Sequence, residues 1–158
     1  MALSKIQAES MNLADTFAFT GTVSGAGASV EEGTWTPNMT SVNESTAIGR
    51  YLKIGKLVTI HCHITGGSAG NGASITISGL PFTTNSTSNF YQSATVGGHS
   101  RFGYSTSGFT EITVRIPPNS TSMSTLRSRS GNTFDGVQGS QQGYVTQTMY
   151  IGATYIAN

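Results

Sequence analysis

The stretch AIGRYLKIGKLVTIHCHIT, Ala47 to Thr65, limits the fold more than any other part of the chain. Two runs of alternating residues flank Gly55-Lys56. Such a pair between alternating runs marks a two-residue β-hairpin turn. Ile48, Leu52 and Ile54 form one apolar side before the turn, and Val58, Ile60, Cys62 and Ile64 form one after it. Side chains on a strand point alternately to opposite faces. The expectation is a ribbon with one greasy and one wet side.

The same alternation fixes the reading of the two histidines and the single cysteine. Cys62 points away from His61 and His63, which share the wet side with Thr59. A Cys–His nucleophile pair within this strand is excluded by the pleat, which leaves only a histidine from elsewhere, such as His99. Cys62 reads as a small core hydrophobe. His61 and His63 read as a hydrogen-bonded or solvated face. No metal or other cofactor is expected, because no Asp, Glu or Cys pattern nearby completes a ligand set. Only three copies meeting on a threefold axis would gather enough imidazoles at His61 and His63 for an octahedral site.

The remaining sequence repeats the strand signal. GTWTPNM carries Trp35 and Pro37, and the proline confines it to an edge or a strand end. ASITISGLPF presents Ile75 and Ile77 before a Gly79–Pro81 corner. FYQSATVGG and RFGYS read as short strands. FTEITVRIPPNS places Ile112, Val114 and Ile116 inward and Glu111, Thr113 and Arg115 outward, with Pro117-Pro118 ending the run. TSMSTLRSR and GYVTQTMYIGATYIAN complete about nine strands separated by Gly, Pro and Asn turns, which predicts an all-β sandwich or jelly roll. Charged residues are only 9% of the chain, against about 25% in ordinary domains. Ser, Thr, Asn and Gly take their place, and fourteen aromatics spread along the chain argue against disorder. The core leaves surplus Tyr, Phe and Met, which points to subunit contacts.

Several function classes lose support. A net charge of +1 gives no field for nucleic acid, and Arg127 and Arg129 read as a solvated strand face. The N-terminus lacks the apolar region of a secretory signal, and no run approaches the ~18–20 residues of a membrane span. One cysteine cannot form an intrachain disulfide, so the chain is expected in a reducing host cytoplasm during synthesis. Acids are few. Glu31, Glu32 and Glu44 read as near loops, Glu111 as outward and Asp135 as a turn residue, and no motif pairs two carboxylates at the ~5–9.5 Å that a glycosidase needs. No nucleophile elbow or phosphate loop is present. The expectation is no enzymatic role and no catalytic residues.

Residues 1–30 differ from the body, residues 31–158. Leu3, Ile6, Leu13 and Phe17 lie near helical spacing. TFAFTGTV then changes to period two, with Phe17, Phe19 and Val23 on one side, and SGAGAS follows as a hinge. This segment reads as an attachment arm. In the body, Phe90, Tyr91, Phe102, Tyr104 and Phe109 sit among Ser, Asn and Gly, as rings do where sugars stack. The plainer reading is that they close the sandwich ends or fill a seam between subunits.

Residues 3–27, LSKIQAESMNLADTFAFTGTVSGAG, resemble a segment that recurs in structural proteins of marine and cyanobacterial tailed phages. GTWTPNM, GRYLKIGKLVTIHCHITG, ITISGLPFTTNS and the terminal YIGATYIAN resemble a module of phage fibres and appendages, closely over residues 33–85 and only in style over 86–140. The resemblance implies a virion protein with a β-sandwich, usually a homotrimer, without enzymatic role. An arm plus one β body, with no long shaft or tail-binding domain, fits a capsid decoration (cement) protein or head spike. It would sit on the virion surface, held on the major capsid protein or another virion protein through the arm. The alternative is a tail-fibre tip or tail-associated module that recognises a host-surface glycan.

Overall fold

The hairpin forms at the expected turn. Strands β3 (Val42–Ile54) and β4 (Leu57–Ser68) pair antiparallel with Ile54 opposite Leu57. Gly55 and Lys56 alone make the loop, and Gly55 adopts φ 58°, a left-handed value that costs glycine nothing. This register comes from a computed structural model that describes residues 29–68, 73–100, 111–128, 134–138 and 147–158. Every regular element among them is a strand.

The other strands are β1 (Val30–Trp35), β2 (Asn38–Met39), β5 (Thr76–Ser78), β6 (Gln92–Ser100), β7 (Glu111–Ile116), β8 (Ser122–Ser128), β9 (Asp135–Gly136) and β10 (Gln147–Ile156). They form one antiparallel sheet in the order β1-β3-β4-β10-β6-β7-β8-β5-β2, with β9 added to β8. The first and last strands of that order, β1 and β2, are consecutive in the chain and joined through Thr36-Pro37. Pro37 therefore falls between strands, where its missing N–H breaks no ladder. The sheet must curl for one short connection to join its two ends, and β2 also returns against β3. The result is an all-β, sandwich-like body whose described buried residues form one core.

That core is built from one face of each strand. Val58, Ile60, Cys62 and Ile64 of β4 meet Met149, Ile151, Ala153 and Tyr155 of β10, Val114 and Ile116 of β7, Met123 of β8, and Ile75, Ile77, Leu80 and Val137. Each fully buried aliphatic contributes roughly 1.5–3 kcal/mol before entropy. The β7 alternation is as expected, with Val114 and Ile116 buried and Glu111 and Thr113 exposed. Trp35 enters over Gly49, where a Cβ would lie only 2.3 Å from the indole Nε1. Buried Thr84 fastens the loop before β6 to the one after β7. Its hydroxyl donates to Pro117 O at 2.7 Å and accepts from Ser120 N–H at 2.9 Å. The Tyr155 hydroxyl donates to Phe82 O at 3.1 Å.

Three expectations need correction. First, Ile48, Leu52 and Ile54 do not join the core. A two-residue turn pairs Ile54 with Leu57, Leu52 with Thr59 and Ile48 with His63, and directly opposed residues share a face. The apolar sides of the two strands therefore point in opposite directions. The core side of β3 instead carries Gly49, Tyr51 and Lys53. The Tyr51 hydroxyl donates to Glu31 Oε1 at 2.9 Å, Lys53 reaches Glu31 at 3.8 Å, and Lys53 lies over the Phe82 ring at 4.3 Å. Second, Arg127 is not solvated. It follows Met123 and Thr125 on the buried side of β8. Third, Asp135 lies on β9 rather than in a turn, while Glu31, Glu32 and Glu44 lie at the starts of β1 and β3, close to the preceding loops.

Candidate functional site

The outer face of β1, β3, β4, β10 and β6 is assembled by register alone. One row crosses the sheet as Val30, Ile54, Leu57 and Ile156. The next is Glu32, Leu52, Thr59 and Thr154, followed by Thr34, Arg50, His61, Gly152 and Thr95. Then come Ile48, His63, Tyr150 and Gly98, and finally Thr46, Thr65, Thr148 and Ser100. The face thus changes along the strands from aliphatic, through cationic and aromatic, to hydroxyl-rich.

The middle rows form a groove of about 730 Å³, lined by Ile48, Arg50, His61, His63, Tyr150 and the threonines 59, 95 and 154, with Gly97 and Gly152 on its floor. Glycine creates the depth. A Cβ on Gly152 would lie 3.2 Å from His61 Nδ1, so the imidazole lies across bare backbone, and a Cβ on Gly97 would meet nothing nearer than 3.9 Å. A register shift between Tyr150 and Ile151 in the β10–β6 pair accommodates the extra glycine of β6. Such bulges re-aim side chains locally. His63 stacks on Tyr150 at 4.7 Å between centroids and 25° between planes, and its Nε2 hydrogen-bonds Thr65 Oγ1 at 2.9 Å. Tyr150 remains half exposed. Thr59 and Thr154 join hydroxyls at 3.1 Å. Arg50 has no ion-pair partner among the described residues, and no carboxylate is among the described residues of the lining.

Cys62 lies below this groove on the core side, in register with Gly49 and Ile151. Burial pushes its thiol up to about 12, and a hydrogen bond to the Ile151 backbone offsets only part of that shift. A thiol so held is a poor nucleophile at neutral pH. His99 is exposed near the end of β6, opposite Met149. Among the described residues, no three His, Cys, Asp or Glu side chains cluster as metal ligands.

Of the five rings singled out in the sequence, Phe90 and Tyr91 are exposed just before β6. Tyr91 lies under the Arg115 guanidinium at 4.6 Å, and Phe134 approaches the same cation at 5.5 Å. Phe102, Tyr104 and Phe109 lie outside the described residues, as do Leu3, Ile6, Leu13, Phe17 and Phe19 of the arm. His61 and His63 do share one face, as the alternation required. Sequence reasoning missed Arg50, Tyr150 and the two floor glycines. Arg50 was within reach, since counting back from the turn pairs it with His61. Tyr150 was not, because its neighbours come from strands far away in the chain.

No protein-family model matches this chain, and no curated protein matches it either.

Proposed function

We propose that this chain is a non-catalytic structural subunit of a tailed-phage particle, a homotrimeric capsid decoration or head-spike protein attached to the shell by its first 30 residues. The observation that carries this reading is the aliphatic end of the outer face. Val30, Leu52, Ile54 and Leu57 are 40–69% exposed, although the opposite face of the same strands already supplies the core. A charge-poor chain that leaves such side chains in water gains by bringing copies together over them. The phage-like segments at residues 3–27 and 33–85 support the particle context. The inert Cys62 and the scattered carboxylates support a role without catalysis.

Sedimentation equilibrium tests the assembly. A trimer is expected, with the Leu52→Asp/Ile54→Asp double variant reduced to a monomer that keeps its β spectrum. A monomeric wild-type chain overturns the assembly. Deletion of residues 1–24 is expected to abolish co-sedimentation with empty shells. Equal binding by the truncated body would show that the arm is not the attachment. A second reading, a tail-fibre tip or tail-associated module for cell-surface glycan, is favoured by the exposed Phe90 and Tyr91 at one loop. Tyr91→Ala would then abolish binding on a glycan array.

A further inference from the structure

We infer that the groove on the outer sheet face is a binding site for an acidic sugar, a pyranose that carries a carboxylate. The inference stands apart from the assembly reading and from the loop rings at Phe90 and Tyr91. It rests on three features that meet in one place.

The first is charge. Arg50 projects from β3 with no ion-pair partner among the described residues, beside His61, with which it is paired in register, while no carboxylate is among the described lining. Glu32 lies one row away on the same face but makes no ion pair with Arg50, so the guanidinium keeps its donors open to an added anion. A guanidinium takes a carboxylate through two parallel N–H donors, which fixes orientation as well as attraction. The second is a stacking surface. Tyr150 is half exposed and is held in place by its stack on His63. A pyranose presents an apolar face of C–H groups to such a ring and its hydroxyls around the rim. The third is room with acceptors and donors at its edge. Gly97 leaves the backbone open beside the His61 imidazole, which lies over Gly152, so a flat ring can approach the sheet there. Thr95 and Thr154 stand at the edge of that floor. The volume of about 730 Å³ fits one or two sugar rings.

The geometry assigns each part a role. Arg50 holds the carboxylate, Tyr150 stacks on the ring, and His61 and the threonine hydroxyls bond to sugar hydroxyls. A neutral sugar of the same shape would keep the stack and lose the ion pair. That difference is the signature of the site. A general apolar patch would not discriminate between the two sugars.

Titration calorimetry on the full chain tests this with a glucuronate-containing tetrasaccharide and its carboxyl-reduced, neutral counterpart. The acidic sugar is expected to bind at least about tenfold more tightly, the scale of one charge-assisted bidentate contact. Arg50→Gln should erase that preference while the melting temperature and β spectrum stay unchanged. Tyr150→Ala should weaken both sugars. Glu111→Gln, on the exposed side of β7, should change neither. Equal affinity for the two sugars, a preference that survives Arg50→Gln, or no binding of either sugar overturns the inference. Because sedimentation reads the assembly separately, a monomer that binds the acidic sugar and a trimer that does not are distinct outcomes.

Discussion

The two faces of β4 are built from consecutive residues and behave as different materials. Val58, Ile60, Cys62 and Ile64 are packed among β10 residues and the opposite half of the curled sheet. Thr59, His61 and His63 look outward onto a groove floored by glycine. The inner face is a closed jigsaw, where each added or missing atom is felt. The outer face is open, and its side chains are arranged by cross-strand pairing more than by packing. A single strand therefore serves the core with its even positions and lines the open groove with its odd ones.

The sharpest test of that division compares two isoleucines. Ile60→Ala should lower unfolding free energy by about 2–5 kcal/mol, through lost transfer and a cavity that cannot collapse. Ile48→Ala, on the outer face, should stay within about 0.5 kcal/mol for the separated subunit. Urea denaturation of both variants in the Leu52→Asp/Ile54→Asp background reads the difference, and equal losses would mean the faces are not distinct. Glycines offer a second comparison. Gly49→Ala drives a Cβ into the Trp35 indole, so a loss of about 1–3 kcal/mol is expected. Gly97→Ala meets nothing nearer than 3.9 Å and should leave the melting temperature close to wild type.

Alkali sharpens the contrast further. Burial raises the Cys62 thiol from 9.0 and the Tyr155 phenol from 10.0, each to about 12. Both folded values lie above the unfolded ones, so the stability tied to these protons is complete below about pH 8.5 and is lost as pH climbs toward 12. Cys62→Ala should flatten the part of the decline that begins near pH 9, as the thiol's unfolded value is the lower of the two. An unchanged slope would show that the thiol is not held protonated by the fold. The smallest effect expected is at the outer hydroxyl pair. Thr154→Val removes one partner of the 3.1 Å contact with Thr59, yet both groups are open to water, so the change should be at most about 0.5 kcal/mol.

In the hairpin, alternation fixes the two faces of each strand but not how they match across the turn. Period-two alternation in β3 and β4 was plain, and so was the Gly55-Lys56 turn. The inference that failed was that two apolar sides of one hairpin must coincide. Pairing across a two-residue loop decides that question, and it sets Leu52 against Thr59, not Val58. Arg127 failed for another reason. A strand of mixed polar residues has no apolar side to announce, so its orientation is set by Met123 and Ile77 opposite it. In the groove, the two histidines were legible because they alternate with Cys62. The ring that stacks on one of them was not, because Tyr150 lies 87 positions from His63 and reaches it only through sheet order.

By itself the sequence determined that the chain is made of strands, where its best hairpin turns, and that Cys62 and the two histidines face apart. These are local consequences of side-chain alternation and of glycine's freedom at one position. Only the tertiary structure decided which side of β3 is wet, that β10 inserts between β4 and β6, and that Arg50, His61, His63 and Tyr150 surround one groove. The physical reason is that a strand's pattern fixes its two faces but not its neighbours. Neighbours are chosen by how the whole sheet curls to close its core.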